Sequence, residues 1–166
     1  MNGVWQYGSG LPLNVNLQFN RSQNQNSVIP DRPSLAPGAS NNPTHGVTSG
    51  CGVIPAGQKL RTPNRWYDPC GFVLPAAGTF GNLGRNTMDG PPYNAVNFTL
   101  VKTTALTESK KLEFRAEVFN LFNHPSFSIP VIAVFSSSLA HTGNEGVINL
   151  TTSNGREIQL GLKLTF

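Results

Sequence analysis

Apolar and polar residues alternate with a period of two in four places along the chain. At its end Ile158, Leu160, Leu162, Leu164 and Phe166 are separated by Glu157, Gln159, Gly161, Lys163 and Thr165. Between Lys110 and Asn120 the apolar set is Leu112, Phe114, Ala116 and Val118, interleaved with Lys111, Glu113, Arg115 and Glu117. A strand turns successive side chains to opposite faces, so each stretch predicts a strand with one apolar and one polar side. A helix would need apolar partners three positions away, and there Leu112, Phe114 and Val118 meet Lys111, Arg115 or Glu117. Asn94 to Thr104 puts Val96, Phe98 and Leu100 on one face. The first alternation begins near Val4, is interrupted by Gly8-Ser9-Gly10 and Pro12, and resumes as Leu13, Val15, Leu17 and Phe19. Interior glycine marks a bend, so residues 3–19 are expected to form one long bent strand or two collinear ones.

The remaining strands are expected at about 94–104, 110–120 and 156–166. Ala105 to Ser109 is short enough to join the middle two as an antiparallel hairpin, with Phe98 opposite Ala116 and Leu100 opposite Phe114. The other face of that hairpin carries a row of charge, Glu113, Arg115 and Glu117. Such a row suits the solvated side of a sandwich or the hydrated lumen of a barrel. Residues 20–92 and 121–155 lack periodicity and read as loops. About seventy residues without pattern is too long for a passive connection. The apolar residues of the first loop gather in its second half (Trp66, Tyr67, Phe72, Val73, Leu74, Phe80, Leu83), so that half is expected to fold onto something. In the second loop, Asn154-Gly155 is a hairpin-turn signal and two outcomes compete: a small hairpin from Val147 to Ile158, which the turn favours, or an extended final strand with a loose start.

Composition fits this all-β reading. Charged residues are 12% of the 166, about half the usual 25% of soluble domains, while glycine and proline are abundant. The net charge of +4 is spread from Arg21 to Lys163 with no basic stripe, which argues against nucleic acid as a partner. No run approaches the 18 or so apolar residues of a membrane helix. The start, Met1-Asn2-Gly3-Val4-Trp5, has neither the basic nor the apolar region of a signal peptide, so the chain is expected to be a piece of a longer polypeptide. Cys51 and Cys70 lie nineteen positions apart in turn-like flanks, and a disulfide in an oxidising compartment is expected rather than zinc.

Enzymatic chemistry has little to stand on. His45, His124 and His141 sit in loop sequence without a second ligand at metal spacing and read as solvent-exposed. There is no Gly-x-Ser-x-Gly elbow, and Gly78 to Gly84 lacks the spacing of a phosphate loop. Glu113 and Glu117 would lie about 13 Å apart along a strand, beyond the range of paired catalytic carboxylates. We therefore expect no catalysis, no cofactor and no metal.

The run Gly78-Thr-Phe-Gly-Asn-Leu-Gly-Arg-Asn-Thr-Met-Asp-Gly-Pro-Pro92, the strand Asn94 to Thr104, the segment Leu112-Glu-Phe-Arg-Ala-Glu-Val-Phe-Asn-Leu-Phe-Asn-His-Pro125 and the ending Ile158 to Phe166 together resemble the carboxyl-terminal part of TonB-dependent outer-membrane receptors. The similarity is greatest to Oar-like members that carry a carboxypeptidase-regulatory-like domain. The resemblance implies about four antiparallel up-and-down strands of a larger transmembrane β-barrel, with long extracellular loops, in the outer membrane of a Gram-negative bacterium. It implies outer-membrane lipid as a partner, TonB acting through a plug region absent here, and an imported nutrient of unknown identity. It also implies an assembly signal read by the barrel-assembly machinery, with Leu160, Leu162, Leu164 and Phe166 as its determinants. Glu113, Arg115 and Glu117 would then face the lumen. The alternative is a secreted β-sandwich module for adhesion or ligand binding, which could use the same alternation on a soluble core.

Overall fold

A computed structural model describes residues 1–26 and 28–166. The chain divides into two compact units, one of residues 1–9, 92–127 and 151–166, the other of residues 10–91 and 128–150. No α-helix occurs among the described residues.

The first unit is a four-stranded antiparallel sheet. Its strands are β1 (Asn2–Gly8), β6 (Tyr93–Ala105), β7 (Lys111–Phe119) and β8 (Glu157–Thr165), in the order β1-β6-β7-β8. The second unit holds β2 (Pro12–Leu13), β3 (Ser34–Leu35), β4 (Phe72–Val73) and β5 (Met88–Asp89), paired as β2 with β5 and β3 with β4.

Three strands of the sheet match the alternation to within a residue at either end. The register of the hairpin differs from the expected one. Phe98 lies opposite Val118 and Leu100 opposite Ala116, two residues along from the pairs read off the sequence. The turn explains the shift. Leu106 N–H donates to Lys110 O at 2.9 Å and Lys110 N–H to the Thr107 hydroxyl at 3.1 Å, so the link is Leu106 to Lys110 rather than Ala105 to Ser109. A slip of two keeps every side chain on its face, whereas a slip of one would have reversed them all.

The first alternation ends differently. β1 stops at Gly8 and does not run to Phe19. Gly10 has φ of 95°, and a Cβ there would lie 2.4 Å from Gly90 O, so the chain turns at a position only glycine can fill. Beyond it Leu13, Val15 and Leu17 still alternate, but their face is buried in the core of the second unit. Asn16 N–H donates to Ile132 O at 3.0 Å and Asn16 O accepts from Val134 N–H at 3.0 Å, so the strand-like segment finds partners inside that unit.

The second unit is a folded body where the sequence suggested loops. Trp66, Tyr67, Phe72 and Leu83 are buried together with Ile54, Leu60 and Met88, while Val73 and Phe80 remain exposed. Its two chain segments are tied by a buried pair. Arg65 Nη1 and Glu145 Oε2 are 3.9 Å apart, and the guanidinium also donates to Glu145 O, to Gly143 O at 2.9 Å and to Gln58 Oε1 at 3.1 Å. The Glu145 carboxylate accepts from Thr142 N–H at 2.6 Å and Gly143 N–H at 3.0 Å, so neither ion is left uncompensated. Beside them Tyr67 is fully buried and donates to Val131 O at 2.8 Å. Burial pushes its phenol far above the ordinary tyrosine range and Glu145 adds to the effect, so it stays a neutral donor.

Two local expectations are corrected here. His141 is not an exposed loop histidine, because its ring lies 4.4 Å from that of Phe135 and its Nδ1 is 3.6 Å from Glu145 Oε1. The hairpin from Val147 to Ile158 is absent. Val131 N–H donates to Val147 O at 2.9 Å and Phe127 bridges Thr151, so this stretch pairs back on residues 127–131.

Removing one partner of the buried pair leaves the other charged and dry. Glu145→Ala is expected to destabilise the second unit by about 3–5 kcal/mol. Limited proteolysis should then cut within residues 128–150 far faster than in the parent protein; equal resistance would show that the pair does not hold these segments together.

Candidate functional site

Cross-strand pairing lines up the alternating sets into rows. Phe98, Val118 and Ile158 form one row; Leu100, Ala116 and Leu160 the next; Lys102, Phe114 and Leu162 a third; and Thr104, Leu112 and Leu164 the last. Directly opposite residues share a face, so these rows make one surface that is apolar throughout β7 and β8 and along β6 as far as Leu100, with Lys102 and Thr104 as the polar members at the turn end of β6. It is not covered. Leu160 is 70% exposed, Leu162 71% and Phe166 81%, with Phe114 at 40%. From Ile158 to Phe166 the strip measures about 27 Å along the strand.

Aromatic rings lie at both ends of this surface. At the Gly8 end, Trp5 and Tyr7 lie on the same face as Val96, with rings 6.3 Å apart, and Trp5 Nε1 donates to Asn94 Oδ1 at 2.8 Å. At the other end the Lys110 ammonium sits 5.8 Å from the Phe166 ring centroid. Trp5 and Tyr7 combine an apolar ring with a polar handle, which favours the boundary between hydrocarbon and water.

The opposite face is polar. Glu113 lies across from Lys163 and Thr103, and Glu117 across from Gln159 and Thr99. Arg115 Nη1 reaches Glu117 Oε1 at 3.6 Å with half the arginine side chain exposed, so the pair contributes little stability. Glu113, Arg115 and Glu117 thus share a face, with Lys163 as a fourth charge from the neighbouring strand.

Cys51 and Cys70 belong to the second unit, where they form a disulfide with sulfurs 2.06 Å apart. It contributes no residue to the sheet surface.

Sequence reasoning missed the device that closes the sheet at its Phe119 end. Asn120 and Asn123 follow β7 with φ of 51° and 50°, a left-handed conformation that asparagine tolerates better than most residues. The Asn120 side chain is buried. It donates to His124 O at 3.2 Å and Asn154 O at 3.0 Å and accepts from His124 N–H at 2.9 Å. Its backbone N–H donates to Asn97 Oδ1 at 3.0 Å, while Leu121 N–H donates to Val96 O at 2.7 Å. Asn123 Oδ1 accepts from Arg156 N–H at 3.0 Å. Asparagines three apart, flanking Leu121 and Phe122, therefore fix β7 to β6 and to the start of β8. The signal was present in the sequence as two residues suited to positive φ at one strand end. Asn120→Ala removes the buried amide and strains the backbone, and is expected to cost about 1–3 kcal/mol. Denaturant unfolding of the purified protein should read that loss, and an unchanged midpoint would remove Asn120 from this role.

No curated protein matches the chain significantly, and no solved structure does. A protein family described as "Outer membrane beta barrel domain" matches residues 1–159, a span that takes in β1, β6, β7 and the start of β8 and leaves the last seven residues outside. Four antiparallel strands with both edges open are far too few to close a cylinder, so the sheet is a segment of barrel wall. The alternating strands, the uncovered apolar face with its aromatic borders and the family match agree: this chain belongs to the outer-membrane β-barrel domain family, and its place is the outer membrane.

Proposed function

We propose that this sheet is part of the wall of a TonB-dependent transporter that imports a nutrient, as the resemblance to Oar-like receptors implies. The observation that carries the lipid-facing part of this reading is the exposed strip of Ile158, Leu160, Leu162, Leu164 and Phe166 beside Leu112, Phe114 and Val118. A soluble β-sandwich would cover such a strip with a second sheet. In this proposal the strip meets lipid, and Glu113, Arg115 and Glu117 line the hydrated interior. Both long insertions leave the sheet at the end carrying Gly8, Tyr93, Phe119 and Glu157, while the other end has only the Leu106 to Lys110 turn. Barrels keep short turns on the periplasmic side, so residues 10–91 and 128–150 are extracellular and Cys51–Cys70 lies in an oxidising space. The protein is a transporter rather than an enzyme.

The transport reading is tested by genetics. Loss of the gene should abolish growth on one limiting nutrient, and loss of TonB should abolish growth on the same nutrient. A growth defect that TonB loss does not reproduce would rule this mechanism out.

Two substitutions test the wall itself. Phe114→Leu should assemble normally, whereas Phe114→Arg places a charge on the proposed lipid face at a cost of about 2–4 kcal/mol near mid-depth and should fail. Heat-modifiable mobility of the outer-membrane fraction measures both, and equal assembly would show that the face does not meet lipid. Deletion of Phe166 should lower the amount of assembled protein, since the terminal aromatic is the proposed mark for the assembly machinery. Parental surface levels after the deletion would remove Phe166 from that role.

A further inference from the structure

The second unit contains a cavity of about 440 Å³ whose lining includes Asn24, Asn26, Asp31, Arg32, Phe80 and Arg85. Its volume falls within the range of small-ligand sites. Its chemistry is lopsided toward hydrogen-bond donors. Asn24 Oδ1 accepts from Asn26 N–H at 2.9 Å, and Asn26 Oδ1 accepts from Val28 N–H at 3.0 Å and Ile29 N–H at 3.2 Å. Backbone N–H groups can only donate, so these contacts fix which amide atom is oxygen. Both carbonyls are spent on local turns. Among the described residues neither Nδ2 has a partner, so each of these two lining amides keeps two N–H bonds free to donate.

The charged groups of the lining are two guanidinium groups, Arg32 and Arg85, against the one carboxylate of Asp31. Asp31 is buried, and its carboxylate is taken by Ser22 N–H at 2.6 Å and the Ser22 hydroxyl at 3.0 Å. Arg32 and Arg85 form no ion pair among the described residues. Arg32 Nη1 donates to Leu83 O at 2.6 Å, which anchors the guanidinium without neutralising it. Phe80 completes the lining with a ring that is 68% exposed, although large apolar residues of this unit such as Tyr67 and Phe72 are buried. An exposed ring beside paired amides and unneutralised guanidinium groups suits a ligand that has an apolar ring face, many hydroxyl oxygens and a carboxylate.

We infer that this cavity binds an acidic saccharide, with a sugar face on Phe80, the carboxylate at Arg85 and Arg32, and hydroxyl oxygens accepting from Asn24 and Asn26. Two sources share that chemistry: a uronate polysaccharide from the surroundings, and the acidic core sugars of lipopolysaccharide on the cell's own surface. Binding requires no uptake, so the inference stands or falls separately from the transport reading.

The test uses the protein purified from outer membranes in detergent and titrated calorimetrically at low salt with trigalacturonate, with the core oligosaccharide of lipopolysaccharide, and with a neutral galactose trisaccharide. At least one acidic sugar should bind about tenfold or more tighter than the neutral one, as a charge-assisted contact supplies. Whichever acidic sugar binds more tightly names the source. Arg85→Gln should abolish the preference for acid, Arg85→Lys should restore most of it, and Phe80→Ala should weaken all three sugars about tenfold. Both side chains are exposed, and unchanged heat-modifiable mobility verifies folding of each variant. The inference is overturned if no acidic sugar binds, if the neutral sugar binds as tightly as the acidic ones, or if Arg85→Gln or Phe80→Ala retains parental affinity.

Discussion

The antiparallel ladder that runs from β1 through β6 and β7 to β8 is the constraint on which the sheet depends. Each strand satisfies the backbone donors and acceptors of the next, and in hydrocarbon no water could replace a missing partner. β7 has a neighbour on both sides along its length, whereas β6 has β1 beside it only over residues 93–99 and keeps residues 100–105 open on that side. β1 and β8 each keep one open edge, so the wall is complete only with further strands at both sides. The Asn120 and Asn123 contacts hold the same ladder at its Phe119 end, where β8 begins far along the chain from β7. A loop alone would leave that junction loose.

The two units put the same alternation to opposite uses. In the sheet, successive rows present Leu160, Leu162 and Phe114 outward and leave them exposed. In the second unit Leu13, Val15 and Leu17 turn the same periodicity inward onto a protein core. Long irregular insertions can hold a defined shape when their own side chains supply the core. Here Tyr67, Phe72 and Met88 do so, with the Arg65–Glu145 pair linking segments far apart in sequence and Cys51–Cys70 closing a smaller loop. A body of that kind can keep the amides and guanidinium groups of its cavity in place before any ligand arrives, which lowers the entropic cost of binding.

The strands β6, β7 and β8 were legible from the chain because a strict period of two admits one local conformation and assigns each residue a face. Leu160, Leu162, Leu164 and Phe166 could be placed on the apolar side, and Glu113, Arg115 and Glu117 on the other, before any pairing was known. The register of the hairpin was not legible to the residue. Slips by two preserve the pattern, and the Thr107 hydroxyl contact that chooses between them is a feature of the folded turn. Asn154-Gly155 misled for a related reason. A good turn sequence states what the backbone tolerates, and the Asn154 carbonyl is instead an acceptor for Asn120.

By itself, then, the sequence determined the strand type, the facing of each side chain and the absence of helical periodicity in the sheet, because these depend on neighbours one or two positions away. Only the tertiary structure decided where each apolar face went. Leu13, Val15 and Leu17 are indistinguishable in pattern from Leu160, Leu162 and Leu164, and they differ in what comes to lie against them. That difference is set by contacts across more than a hundred residues, such as Asn16 with Ile132 and Val134, which no local periodicity encodes.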